Sequence, residues 1–581
     1  MKSLFNLFPY LFRYKKTLLI GFFAIILSNV FGLFVPSVIG DTIDGLQNSI
    51  DKRAIFSNIA VIIVTMILSG YFSYLTRQTI IVVSRKIEFD LRNDFFSHTQ
   101  KLSLEYFQHK PTGELMSIAT NDLNAIRNVI GPGIMYTSDT IVIFILVLSM
   151  MISLNWKLTI LSLMPFPIVS FAVFLLGKKI HKRFDAVQEQ FAKLTTFVQE
   201  NFSGIKVVKS FIRENFEIGK FKNLNDEYLK NNMKLAVVQS LMWPLMFVLT
   251  GISIVVVIWK GGEMVIKNEM TIGKISQFMI YLGMMIWPMI AFGWVINIFQ
   301  RGSASMRRFM KILETEPKIK NSKLTDFKMN SIEGEIQFVD VSFTHLNKII
   351  PTLQNINLKI EKGKTLAIVG RTGSGKSTIA NLLLRFYDIN SGKILIDGND
   401  IKKIPLEVLR KNIGYVSQET FLFSATLKEN ISFAFDEIDF EKILFASNVS
   451  QLENDVKDFP NQYDTIIGER GITLSGGQKQ RTSIARAVIT NPKVLILDDA
   501  LSAVDTATEE KILQQLKLFM QNRTSIIISH RISTVKDADK IIVLDEGKVV
   551  ECGTHSELVS ENRIYTQLYE QQLLEEEMEK L

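Results

Sequence analysis

Six apolar stretches of membrane length crowd into the chain before about residue 300, and none follows them. They run from Thr17 to Ile39, Ala54 to Val83, Ile134 to Leu154, Leu158 to Leu176, Leu241 to Trp259 and Ile275 to Ile298. Each is close to the roughly 20 residues that a bilayer core requires. The first half is therefore expected to lie in lipid, and an even number of spans returns both of its ends to one side. Beyond them the charges are dense and mixed in sign, as expected of a segment in water. At 581 residues the chain is also too long for a single core.

The connections are uneven. Gly40 to Arg53, Asn155 to Lys157 and Lys260 to Lys274 are short, whereas Ser84 to Ile130 and Gly177 to Ser240 are long and polar, with Lys, Arg, Glu and Gln at helical spacing. Structureless loops of that length are uncommon, so both are predicted to be helices running far into the cytosol. They would turn at His109, Lys110, Pro111 and Gly113, and again at Ser203 and Gly204. Residues 1–14 (MKSLFNLFPYLFRY) suit a short helix lying on the membrane surface. The first run is longer than a signal-peptide core and no small-residue cleavage site follows it, so it is predicted to be a retained span.

A net charge of +8 raises the question of nucleic acid. The basic residues instead flank apolar runs, as do Arg13, Lys15, Lys16, Lys178, Lys179, Lys182 and Arg183. That is the placement that orients a membrane protein, so nucleic acid is not expected as a partner. The single cysteine, Cys552, cannot form an intrachain disulfide and is expected to be a buried or inert thiol.

A membrane domain over residues 15–310 is expected to give way to a linker over 311–334, which carries Pro317. From 335 to 570, β-branched runs alternate with helical patterns: Ile336 to Val339, Thr365 to Val369, Val494 to Leu497, Ser525 to Ser529 and Ile541 to Leu544. This predicts an α/β domain with a mostly parallel sheet. An acidic helix over 571–581 would end the chain.

Gly370-Arg371-Thr372-Gly373-Ser374-Gly375-Lys376-Ser377 follows the strand Thr365 to Val369 and precedes a helix predicted from Thr378 to Leu384. Glycines there let backbone N–H groups curl around a phosphate, and the helix N-terminus adds its positive end. Lys376 can reach the terminal phosphates of ATP and Ser377 can offer a hydroxyl to Mg2+. Downstream, the apolar strand Val494 to Leu497 leads into Asp498 and Asp499. In the company of a phosphate loop, the first acid would hold Mg2+ and the second would sit near the attacking water.

Between these elements lies Leu474-Ser475-Gly476-Gly477-Gln478, and here the chain resembles the ATP-binding cassette family along its whole length. Gln418 in YVSQ looks like the family's Q-loop, which senses Mg2+. Thr465 to Gly471 (TIIGERG) resembles the exporter X-loop, Ser502 to Asp505 (SAVD) the D-loop, and His530 in IIISHR the switch histidine. The resemblance implies six transmembrane helices with long cytosolic extensions, fused to a P-loop ATPase with a RecA-like core and a helical subdomain. It also implies that Ser475, Gly476 and Gly477 grip the γ-phosphate of ATP on a second half-transporter, so that closure needs both ATP and a pair.

Two positions depart from the family pattern. Asp499 stands where a Glu general base is usual, and loss of one methylene withdraws the carboxylate by roughly 1 Å, enough to cost on the order of 10²-fold in rate. A weakened acid beside an intact signature resembles one subunit of the heterodimeric bacterial multidrug exporters, as do LILDDALSAVD, Tyr281 to Pro288 (YLGMMIWP) and Gln300-Arg301-Gly302. A heterodimer is expected, with a homodimer as the alternative. His345 stands where an aromatic usually stacks on adenine; imidazole can stack with less area, and Phe343 on the same strand could be mistaken for the stacking residue.

Asp139, among Tyr136, Thr137, Ser138 and Thr140 in the third run, is expected to face a watery cavity or a neighbour rather than lipid. Trp243, Met246, Phe247, Met279, Met284, Met285, Trp287, Phe292 and Trp294 offer soft and aromatic surface to varied apolar molecules, although about half would be ordinary packing. Of these, Asp139, Met284, Trp287 and Phe292 are the candidates for a substrate cavity. The expectation is therefore ATP-driven export of small amphipathic or hydrophobic molecules, of drug or lipid class, from the cell membrane of a bacterium, with the N-terminus and the ATPase domain in the cytoplasm. An ATP-gated channel or sensor and an importer ATPase are the alternatives.

Overall fold

The computed structural model describes residues 2–48, 52–346, 348–468 and 474–579. They form two compact units, one of Met1–Gln100 with Thr112–Glu314, the other of Lys101–Pro111 with Thr315–Leu581.

The first unit is helical throughout. A 3-10 turn, Lys2–Leu7, and a short helix, Phe8–Arg13, precede the first long helix, Lys15–Asn48. Among the described residues, five helices are long and apolar enough to cross a membrane. The predicted fourth span, Leu158 to Leu176, differs: it is two helices, Trp156–Leu163 and Phe166–Ser203, with a turn at Met164 and Pro165 between them. Pro165 lacks an N–H for the helix ladder and Pro167 follows two residues later, so the chain leaves the helix where the apolar run reads as continuous.

The long polar connections are helical, as Val82–Thr99, Phe166–Ser203 and Glu214–Ser240. The tip near Gly204 is more than a turn: Ile205–Ser210 forms a short helix before Ile212 takes a left-handed φ of 54°. Close helix contacts are made at glycines. A Cβ on Gly273 would lie 2.0 Å from the carbonyl oxygen of Gly40, and one on Gly302 2.0 Å from Val129 Cγ2. Small residues let backbones approach where lipid supplies no hydrophobic drive. Two buried polar groups find partners between helices: Tyr281 OH donates to Leu33 O at 3.0 Å, and Asp122 Oδ2 accepts from Arg308 Nε at 2.9 Å.

In the second unit, strands β1 (Ile336–Phe343), β2 (Leu353–Ile360), β3 (Thr365–Val369), β4 (Ser391–Ile396), β5 (Asn399–Asp400), β6 (Ile413–Val416), β7 (Val494–Asp498), β8 (Thr524–Ile528), β9 (Lys540–Asp545) and β10 (Lys548–Gly553) make two sheets. One is four-stranded and antiparallel, in the order β2-β1-β4-β5. The other is six-stranded, in the order β10-β9-β3-β8-β7-β6, and parallel except for β10. The centre of the parallel sheet is covered on both faces, so β7 and β8 are buried at every position and read as unbroken apolar runs. Functional residues cluster beyond the C-terminal ends of β3, β7 and β8, as parallel sheets generally arrange them.

Cys552 is exposed, which removes the buried alternative and leaves the inert one. Strand alternation on β10 turns Glu551 inward instead, where its carboxylate accepts from the N–H groups of Ile564 and Tyr565 at 2.7 and 3.1 Å. Its neighbour must then face out. The terminal helix begins earlier than its acidic run, at Ile564.

Candidate active site

The phosphate loop leaves β3 at Gly370, whose φ is 150° and whose Cβ, if present, would lie 2.1 Å from Leu544 O. Gly373 and Gly375 have φ of 86° and 104°, and a Cβ on Gly375 would lie 2.8 Å from Thr352 O. Only glycine meets these conditions without strain. The loop runs into the helix Lys376–Leu383, one residue pair earlier than predicted, so the lysine sits on its first turn.

Lys376 is buried, and its Nζ donates to Gly370 O at 2.8 Å and Arg371 O at 3.0 Å. Burial pushes its pKa down, against the pull of Asp499 and Asp498. Ser374 Oγ is buried with no hydrogen-bond partner among the described residues, a polar atom inside the loop that suits a phosphate oxygen. Thr378 is buried on the same helix, while Arg371 and Thr372 are exposed.

Asp498 ends β7, and Ser377 Oγ donates to its Oδ1 at 3.0 Å. Burial raises its pKa to about 6, with the Ser377 hydrogen bond acting in the opposite direction. Tyr415 OH lies 3.5 Å from Oδ2, a contact to which nothing in the sequence points. This oxygen donor set suits a hard cation such as Mg2+, which takes few protein ligands and completes its shell with phosphate and water. No cluster of three or more His, Cys, Asp or Glu that could hold a metal occurs among the described residues.

Asp499 adopts φ 46°, a left-handed position that Asp tolerates better than most residues. Its carboxylate is held from two directions. Oδ1 accepts from His530 N at 3.1 Å, and Oδ2 lies 3.4 Å from both Gln418 Nε2 and His530 Nε2. Gln418 and His530, far apart in sequence, thus converge on one acid. Behind it, Gln480 Nε2 donates to Ser502 Oγ at 2.8 Å, and Ser502 Oγ donates to Asp499 O at 3.1 Å. No motif marks Gln480. Asp505 caps the helix Thr506–Met520 by accepting from Thr508 N at 3.0 Å.

The signature occupies the start of the helix Gly476–Val488. Ser475 caps it: Oγ accepts from Gln478 N at 3.2 Å, and Gln478 Oε1 accepts from Ser475 N at 3.0 Å. Leu474 is buried, and Cβ atoms on Gly476 or Gly477 would lie 3.2 and 3.1 Å from Ala503, so both glycines serve close approach to the Ser502 loop. Of the X-loop, Thr465 to Gly468 are held by backbone bonds such as Ile467 N to Ala425 O at 2.9 Å, and 469–471 lie outside the described residues.

His345 is half-buried and meets Tyr387 edge-on, with ring centroids 5.3 Å apart. Phe343 is buried at the end of β1 beneath them. Tyr387, which no motif in the sequence marks, is itself buried and backs the His345 ring.

In the helical unit, Asp139 Oδ1 accepts from Asn29 Nδ2 at 2.8 Å, so the acid faces a neighbour. Met284 packs against a buried apolar cluster and Trp287 is exposed. The side chains of Trp243 and Phe292 lie outside the described residues. No contact gathers the four cavity candidates around one point among the described residues.

Both parts of the chain match known families. The family described as ABC transporter transmembrane region matches residues 18–289, and that described as ABC transporter matches 353–502. The chain is 37% identical to the probable multidrug resistance ABC transporter ATP-binding/permease protein YheI of Bacillus subtilis, over 94% of this chain and 93% of that protein. It is 34% identical to the multidrug resistance-like ATP-binding protein MdlA of Escherichia coli, over 94% and 92%. It is 35% identical to the ATP-dependent lipid A-core flippase of Syntrophus aciditrophicus, over 89% and 86%. In fold it matches a bacterial Atm1-family ABC exporter solved with ATP bound, with a TM-score of 0.79 across 96% of this chain and 98% of that one, at 24% identity.

Proposed function

The chain belongs to the ABC transporters, membrane-spanning proteins that bind and hydrolyse ATP, and from that premise we propose that it exports small amphipathic or hydrophobic molecules of drug or lipid class as one half of a heterodimer. The observation that carries the pairing is Asp499: a shortened acid, tied back to His530, beside an intact signature helix. The names of the relatives support the substrate class, one being a multidrug protein and another a lipid flippase.

In this reading the phosphate loop and Lys376 bind the phosphates of ATP, and His345, backed by Tyr387, takes the base. Ser377, Asp498 and Gln418 would hold Mg2+, which when bound neutralises charge on the phosphate oxygens. Asp499 accepts the proton of the attacking water and His530 steadies the terminal phosphate. Ser475, Gly476 and Gly477 act on the partner's ATP. The turns near Pro111 and Gly204 pass closure of the ATPase domains to the spans, which lie in a bacterial cell membrane with the N-terminus and ATPase domain cytoplasmic.

Inside-out vesicles carrying the chain and its partner should accumulate a lipophilic dye or fluorescent lipid against its gradient when given ATP. Lys376→Ala should abolish nucleotide binding at this chain's site. Ion conductance opened by ATP without accumulation would make the protein a channel instead. The homodimer remains the second reading because Gln418, Asp499 and His530 already converge, the arrangement a competent base needs.

A further inference from the structure

His530 follows β8 on three residues of irregular backbone, before the single helical turn Ile532–Val535. The position of its imidazole therefore depends on what holds that backbone. One side is held by the helix Thr506–Met520, where Glu509 pairs with Arg531 and accepts from Thr534 Oγ1 at 3.0 Å. The other side is held by one side chain from the end of the chain. Gln572 Oε1 accepts from Ile532 N at 2.7 Å, and Gln572 Nε2 donates to His530 O. A carboxamide carries a donor and an acceptor in one plane, so it can bind a C=O and an N–H two residues apart, as a neighbouring strand would.

Gln572 is presented from a fixed base. It lies two helical turns beyond Tyr565, which is fully buried and whose hydroxyl lies 2.7 Å from His555 Nδ1. Glu551 accepts the first N–H groups of the same helix. The path from the terminal helix to the reacting centre is then short: Gln572 to the 530–532 backbone, and from His530 N to the Asp499 carboxylate at 3.1 Å.

We propose that Gln572 is a positioning residue for ATP hydrolysis, clamping the backbone on both sides of Arg531 so that His530 and Asp499 keep their mutual geometry. The consequence for turnover rests on the reading of His530 given above. The terminal helix thereby becomes part of the switch, and its undocking would slow hydrolysis without weakening ATP binding.

The test uses the full-length chain in lipid nanodiscs with its own Asp499, so that the bond to His530 N is kept, and reads its turnover against Lys376→Ala as the blank. Gln572→Leu keeps the length and removes both hydrogen bonds; Gln572→Glu keeps only the acceptor. The Leu variant should lower kcat by about tenfold with KM for ATP changed less than about twofold, the Glu variant falling between it and Gln. Hydrogen exchange at the Ile532 amide should quicken in the Leu variant, while thermal unfolding moves little. With His530→Ala present, Gln572→Leu should have no further effect on kcat. Unchanged exchange at Ile532, an unchanged kcat, or a loss that repeats in full beside His530→Ala would overturn the clamp. If His530→Ala alone left hydrolysis intact, the role of the histidine would fall, and exchange at Ile532 would still decide whether the contact exists.

Discussion

Changing Asp499 to Glu adds one methylene to an acid whose surroundings are closely defined. Its carboxylate now accepts from His530 N at 3.1 Å and lies 3.4 Å from Gln418 Nε2. An added C–C bond extends its reach by roughly 1 Å along the side chain. That is the scale of misplacement that costs on the order of 10²-fold in a positioned reaction, or about 2.7 kcal/mol of barrier, so recovering it should raise turnover by about 10- to 100-fold. The substitution also has a stability cost. At φ 46° a Glu lacks the local tolerance of Asp, roughly 1 kcal/mol, and the bond to His530 N is lost, roughly another 1 kcal/mol. The midpoint of thermal unfolding of the ATPase domain should therefore fall by about 4–8 °C while activity rises, opposite signs that no general improvement in folding would produce. Phosphate release from the chain purified alone in lipid, with Lys376→Ala as the blank, measures the first quantity and calorimetry the second. A natural chain that already turns over briskly, with Glu raising it less than about threefold, would refute the argument and make a homodimer the better reading.

Gly273→Ala would place a methyl 2.0 Å from Gly40 O, so the helices it joins must separate; expected are a lower unfolding midpoint in detergent and loss of dye accumulation. Arg486 is half-buried and donates to Phe421 O, Asn430 O and Asn430 Oδ1, with desolvation pushing its pKa down to about 10. Arg486→Met should leave those acceptors unpaired and destabilise the domain by about 2–4 kcal/mol, read by denaturant unfolding. Burial first, and Lys348 second, lower the pKa of His345, with Glu105 opposing. The folded state thus favours the neutral ring, so its contribution to stability is complete above about pH 6.5 and is lost as pH falls through the depressed value. Unfolding midpoints of wild type and His345→Phe should run parallel above that pH and diverge below it.

Of the five strands legible in the sequence, β3, β7, β8 and β9 lie inside the parallel sheet, where β7 (VLILD) and β8 (TSIII) are buried at every position and need no alternation, while β1 of the antiparallel sheet is legible over its first half, Ile336 to Val339. The half-exposed β2 (LQNINLKI) interleaves Asn and Lys with its apolar set, and the four residues of β6 are too few to show a period. For Cys552, exposure removes the buried alternative and leaves the inert one: residue type suggests burial, whereas position on β10 is set by Glu551, whose carboxylate is needed at a helix start. The phosphate loop, the acids after β7 and the signature were readable because each is local in sequence. Tyr387, Tyr415, Gln480 and Gln572 were not, since each acts through a contact made only after folding, and Gln572 is hidden in a tail whose acidity suggests nothing but solvent.

The cap at Ser475 has a chemical consequence of its own. Its oxygen already spends a lone pair on Gln478 N, yet a hydroxyl keeps a proton to give elsewhere. Asp or Asn would cap that helix as well or better, but a carboxylate would repel a phosphate and an amide oxygen has nothing to donate. Only an amphoteric group can serve the helix and an anion from the same atom. Under the role proposed for Ser475, the choice among good caps at residue 475 is thus narrowed to serine or threonine by the anion that would approach from outside the helix.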